Sequence, residues 1–130
     1  MHRSPMLLID ELLERRHNHA AASAILDKNN ICISGNSGNF EVLPEYFIEI
    51  LAQTVAAADG YDNLAAEAPP GAGFLVGVED FTSTPPPAGH QNFIARIAVT
   101  MEAGAMKIVH GEVFAGGTSV ARAELKLWLE

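Results

Sequence analysis

Apolar and polar positions along the chain fall into two kinds of periodicity. In residues 92–101, Phe93, Ala95, Ile97, Val99 and Met101 alternate with Asn92, Ile94, Arg96, Ala98 and Thr100. A period of two is that of a strand with one buried face. Residues 105–114 and 119–129 flank Gly116-Gly117, a pair suited to the positive φ angles of a tight hairpin. In the last of these, Ala121, Ala123, Leu125, Leu127 and Leu129 share one face, and Arg122, Glu124 and Lys126 share the other. Phe74–Asp80 is a further apolar strand candidate. Residues 12–26 fit either helix or strand and are read mainly as strand, because a β-rich domain needs a partner for its edge.

The clearest helix begins at Pro44, a residue suited to a first turn, and is expected to run to about Ala58, with Gly60 as its stop. It is apolar on almost every side, which predicts burial nearly all round. Its main polar residues, Glu45, Glu49 and Gln53, are spaced i, i+4, i+8 and form one stripe. Two strands, one helix and four strands make an α+β layout. A curved antiparallel sheet wrapped around the helix would bury it as the pattern requires.

Length and charge narrow this picture. The 130 residues suffice for one domain with a real core, expected to span 1–130. An apolar fraction of 48% against 18% charged residues excludes a disordered chain. No apolar run approaches the ~20 residues of a membrane helix, and the N-terminus lacks a secretory pattern, so a cytoplasmic protein is expected. The net charge of −8, with no basic cluster beyond Arg15-Arg16, argues against nucleic acid or an anionic membrane as partner. Cys32 is the single cysteine, which excludes an intrachain disulfide and a cysteine zinc site. His17 and His19 would share a strand face, but no third ligand is evident, and no metal is expected.

Four motifs in order carry a resemblance. His2-Arg3-Ser4-Pro5-Met6-Leu7-Leu8-Ile9-Asp10 resembles the opening of bacterial 3-hydroxyacyl-acyl-carrier-protein dehydratases. Glu49-Ile50-Leu51-Ala52-Gln53 is similar to the Glu-Ala-Met-Ala-Gln of their central helix. Phe74–Phe81 followed by Pro87-Ala88-Gly89-His90 resembles their strand and Pro-Gly-Asp turn, and Gly111–Leu127 resembles their closing hairpin. Divergent relatives from aryl-polyene pathways share the pattern around the helix. The resemblance implies a hotdog fold, a sheet wrapped around one long central helix, working as a homodimer or as half of a heterodimer. It implies a 3-hydroxyacyl thioester substrate carried on the phosphopantetheine of an acyl-carrier protein or on CoA, and no separate cofactor.

That chemistry uses a histidine to remove the C2 proton and a helix carboxylate to help the hydroxyl leave. Glu49 matches the carboxylate. The family's Gly-His lies so that its histidine precedes a proline by eight residues; here that spacing before Pro44 puts Asn36 in the histidine's place. Asparagine cannot accept a proton at physiological pH, although it can orient water or bond a thioester oxygen. The interval from Pro44 to Glu49 is one residue shorter than in the family.

Each candidate has a plainer reading. Glu49 is a site acid or a carboxylate satisfied by local hydrogen bonds. Gln53 contacts substrate, supports Glu49 or satisfies the core, and Glu45 favours the helix dipole. Phe47, Leu51, Phe74 and Phe81 line an acyl path or fill the core. His2 could stand in for the missing histidine, whereas His90 and His110 read as surface or interface residues. Beside the dehydratase reading stand two others: a non-catalytic partner of a histidine-bearing paralogue, and a hotdog thioesterase.

Overall fold

The computed structural model describes residues 8–25, 44–65, 73–86 and 92–129, with the side chains of 63–65, 73, 74 and 129 outside the description. Six strands and one helix follow in order: β1 (Ile9–Arg16), β2 (His19–Ile25), α1 (Pro44–Ala65), β3 (Gly73–Ser83), β4 (Asn92–Ala103), β5 (Met106–Ala115) and β6 (Thr118–Leu129). They form one sheet in the order β1-β2-β4-β5-β6-β3, antiparallel at every step. This is the α+β layout expected from the pattern.

Alternation decides which side chains meet the helix. Ala20 and Ala24 on β2, Phe93, Ala95 and Ile97 on β4, Val109 and Val113 on β5, and Ala121, Ala123, Leu125 and Leu127 on β6 are all buried in one cluster with α1. The helix contributes Phe47, Ile50, Leu51, Val55 and Ala58 to it. Burying each larger side chain of this set contributes about 1.5–3 kcal/mol. Phe47 and Phe93 meet edge to face, with ring centroids 5.6 Å apart. Thr54, buried among these side chains, donates its hydroxyl to Ile50 O at 2.8 Å. Among the described residues no buried side-chain nitrogen or oxygen lacks a partner.

Four expectations change. Of residues 12–26, those described are mainly strand as expected, in β1 and β2, but a turn at His17-Asn18 interrupts them, where Asn18 takes a φ of 62°. Asparagine tolerates that left-handed conformation. His17 therefore sits in the turn and does not share a strand face with His19. The helix continues through Gly60 to Ala65, because Asp62 is held from outside: Arg15 Nε donates to Asp62 Oδ1 at 3.1 Å and Nη2 to Oδ2 at 2.5 Å. In the single chain α1 is buried on one face only. Ile48, Glu49, Ala52 and Gln53 are half-buried, and Ala56 is exposed. Finally, a register shift between Val99 and Met101 turns Met101 off the core face, leaving it 57% exposed. Gly116 and Gly117 form the expected turn, with φ angles of 59° and 86°.

Candidate active site

The stripe Glu49–Gln53 lies on the half-buried side of α1, away from Phe47, Ile50 and Leu51. The Gln53 amide is held at both ends. Its Oε1 accepts backbone N–H bonds from Leu8 at 2.8 Å and Ile9 at 3.2 Å. Two N–H donors at one end fix which end is oxygen, so the NH2 group faces Glu49 and donates to its Oε1 at 3.0 Å. Among the described residues Glu49 Oε2 takes no hydrogen bond. The arrangement holds a carboxyl group at one oxygen and leaves the other for a ligand. When Glu49 carries a proton, the accepting role of Oε1 assigns that proton to Oε2. A carboxyl group so held can donate to an oxygen leaving a substrate.

The other expected residues are spread. Phe47 and Leu51 lie on the core-facing stripe of α1 and present no surface in the single chain. Phe81, at a register shift in β3, is partly buried against the core. Phe74 stands in β3 opposite Trp128. Asn36, His2 and His90 lie outside the described residues. His19 and His110 lie far from this stripe in the fold, in a hollow on the outer face of the sheet. Among the described residues no three His, Cys, Asp or Glu side chains gather to hold a metal ion, and no helix is long and apolar enough to cross a membrane.

The sequence matches the profile of the ApeP-like family, ApeP dehydratase, over residues 1–129. The chain belongs to that family. No curated protein matches it. Among solved structures it is similar to the dehydratase heterocomplex ApeI:P from Xenorhabdus doucetiae, with 17% identity over 99% of this chain and 86% of that one, and a TM-score of 0.81. It is also similar to thioesterase HI1161 from Haemophilus influenzae (9% identity, 92% and 77% covered, TM-score 0.66). A hypothetical thioesterase from Streptococcus pneumoniae gives 12% identity, 98% of each chain and a TM-score of 0.66. At these identities the likenesses establish the hotdog fold.

Two contributors to the site had no signal of their own in the sequence. The backbone of Leu8 and Ile9 meets Gln53 across 45 and 44 residues of chain, and a backbone donor leaves no mark on residue type. Gly111, buried in β5, sits directly beneath Leu51. A Cβ there would lie 2.8 and 2.9 Å from the Leu51 methyl carbons, closer than packed carbons allow. The glycine lets the helix, and with it Glu49, settle onto the sheet.

Proposed function

We propose that this chain is one subunit of a two-subunit hotdog dehydratase acting on a 3-hydroxyacyl thioester carried by an acyl-carrier protein, in synthesis of the fatty-acid or aryl-polyene type. The observation that carries the reading is Glu49, held by Gln53 through Oε1 with Oε2 open, in a member of a dehydratase family. In the elimination a base takes the C2 proton, the C2=C3 double bond forms, and the C3–O bond breaks. Protonated Glu49 gives its Oε2 proton to the departing hydroxyl, which leaves as water. Asn36, at the position matching the family's histidine, cannot serve as the base. The base then comes from a second, histidine-bearing hotdog subunit. The likeness to a dehydratase heterocomplex supports a partner of this kind. The half-buried helix face with Ile48, Glu49 and Ala52 is the surface for it to cover. Among the aromatic candidates whose side chains are described, Phe81, only partly buried, is the proposed acyl contact, and the chain works as a single domain in the cytoplasm.

Mass spectrometry of a 3-hydroxyacyl-acyl-carrier protein tests this. The chain alone should leave the substrate intact, and the chain co-purified with the histidine-bearing subunit should remove one water. Glu49→Gln in that complex should slow the reaction at least ~10²-fold, the usual share of a general acid. Dehydration by the chain alone at the rate of the complex would remove the two-subunit reading. An undiminished Glu49→Gln complex would remove the acid role. Release of free thiol would point to the thioesterase reading instead.

A further inference from the structure

The face of the sheet turned away from α1 is unused by the proposed function. Strand register arranges its side chains in rows across the strands. One row runs Glu14, Ala21, Arg96, Glu112, Arg122 from β1 through β6. The next runs Arg16, His19, Ala98, His110, Glu124, Glu79 from β1 to β3. On either side of these lie apolar pairs on the two central strands, Ile94 with Phe114 and Met101 with Ile108.

Charge on this face departs from that of the chain. The whole protein carries 16 acids against 8 Lys and Arg. Here Glu11, Glu14, Glu79, Glu112 and Glu124 stand with Arg16, Arg96, Arg122 and Lys126, which are half of all the Lys and Arg in the chain. Within the chain Arg16–Glu14 and Lys126–Glu79 are close, at 2.9 and 2.8 Å, whereas Arg96–Glu14 and Arg122–Glu112 are loose, at 3.6 and 3.7 Å, and the side chains of Arg96 and Arg122 are 58% exposed. The face is thus nearly balanced in charge and banded with apolar side chains, in a molecule with twice as many acids as Lys and Arg. A shallow hollow of about 310 Å³ spans β1, β2, β4 and β5 and is lined by members of both rows, among them Glu14, Arg16, His19, Arg96, His110 and Glu112.

The order of the rows is self-complementary. A two-fold axis lying in this face, parallel to the strands and between β4 and β5, sets each row over itself with strand order reversed. Arg96 then meets Glu112 of the second copy, and Glu112 meets its Arg96. Arg16 meets Glu79, and His19 meets Glu124. Ile94 comes over Phe114 and Met101 over Ile108, apolar on apolar. Face-to-face sheets pack with their strands within about 30°, which this axis permits, and a two-fold produces such reciprocal contacts. We propose that the outer face of the sheet is the contact between two copies of this chain. A different partner of single charge sign would meet both signs within each row, which favours a second copy over an acidic or basic protein.

Sedimentation equilibrium of the full chain tests the proposal with R96E and E112R. Each variant alone sets like charges against each other across the two-fold, and its assembly mass should fall to half that of the native chain. Mixed in equal amounts, the two acids of one variant meet the two arginines of the other, and the native mass should return. General acidity cannot produce that recovery. Because R96E and E112R also set like charges across β4 and β5 within one chain, M101E serves as a third variant. Its exposed site costs the single chain little, and it too should halve the mass. Equal masses for the native chain and all variants, or no recovery on mixing, would overturn the proposal.

Discussion

At Gly111 the absence of a side chain sets the distance between helix and sheet. Any Cβ would press on Leu51 from below, and Leu51 is fully buried with nowhere to go. Gly111→Ala should therefore destabilise the chain by about 1–3 kcal/mol, the usual effect of overpacking. Leu51→Ala alone should cost about 2–5 kcal/mol as a cavity. Combined, the two should cost clearly less than their sum, because the new methyl fills the space vacated. Urea unfolding of the two single variants and the double variant measures this, and strict additivity would show that the two side chains do not meet. Gln53 acts at the same scale. One amide satisfies two backbone donors and one carboxylate oxygen, so its orientation leaves no choice in how Glu49 is held.

Among the elements, α1 carries the clearest conflict between local preference and tertiary contact. Gly60 lies inside it, exposed, with nothing within 4 Å of a Cβ position. Glycine in a helix interior costs about 1 kcal/mol relative to alanine, and the chain carries that cost without a packing reason. The last turns persist because Arg15 grips Asp62 while its Nη1 donates to the carbonyls of Arg16 and His19, tying helix end to β-hairpin. Gly60→Ala should stabilise the protein by about 0.5–1 kcal/mol in thermal or urea unfolding. A loss of stability would mean that the helix is interrupted at Gly60. At the opposite sheet edge, Lys126 donates to Glu79 at 2.8 Å, and that carboxylate raises the lysine's pKa above its ordinary value.

The whole molecule offers two surfaces of opposite character. The half-exposed face of α1 is apolar and surrounds Glu49, whereas the outer face of the sheet is charged and self-complementary. Ala56, exposed on that helix face, separates their roles. Ala56→Arg should leave the stability of the single chain within about 0.5 kcal/mol of native, as expected for an exposed site. It should abolish co-purification with the histidine-bearing subunit, read by size-exclusion chromatography, whereas R96E should leave that complex intact. Retention of the complex by Ala56→Arg would place the subunit contact elsewhere.

Periodicity alone determined most of the architecture. The alternation in β4 and β6, the two glycines of the β5–β6 turn and the apolar run after Pro44 each follow from local geometry, so each could be read directly. The match of Glu49 and Gln53 to one helix stripe was legible for the same reason. Tertiary structure decided what depends on residues far apart in sequence. The helix runs past Gly60 because Arg15, 47 residues before Asp62, holds its end. Met101 leaves the core face because a slip in pairing with β5 overrides the alternation. Gln53 turns its NH2 toward Glu49 because two backbone N–H groups from β1 and the residue before it claim its oxygen. Opposing registers also bring scattered charges into rows, a property that no single strand possesses.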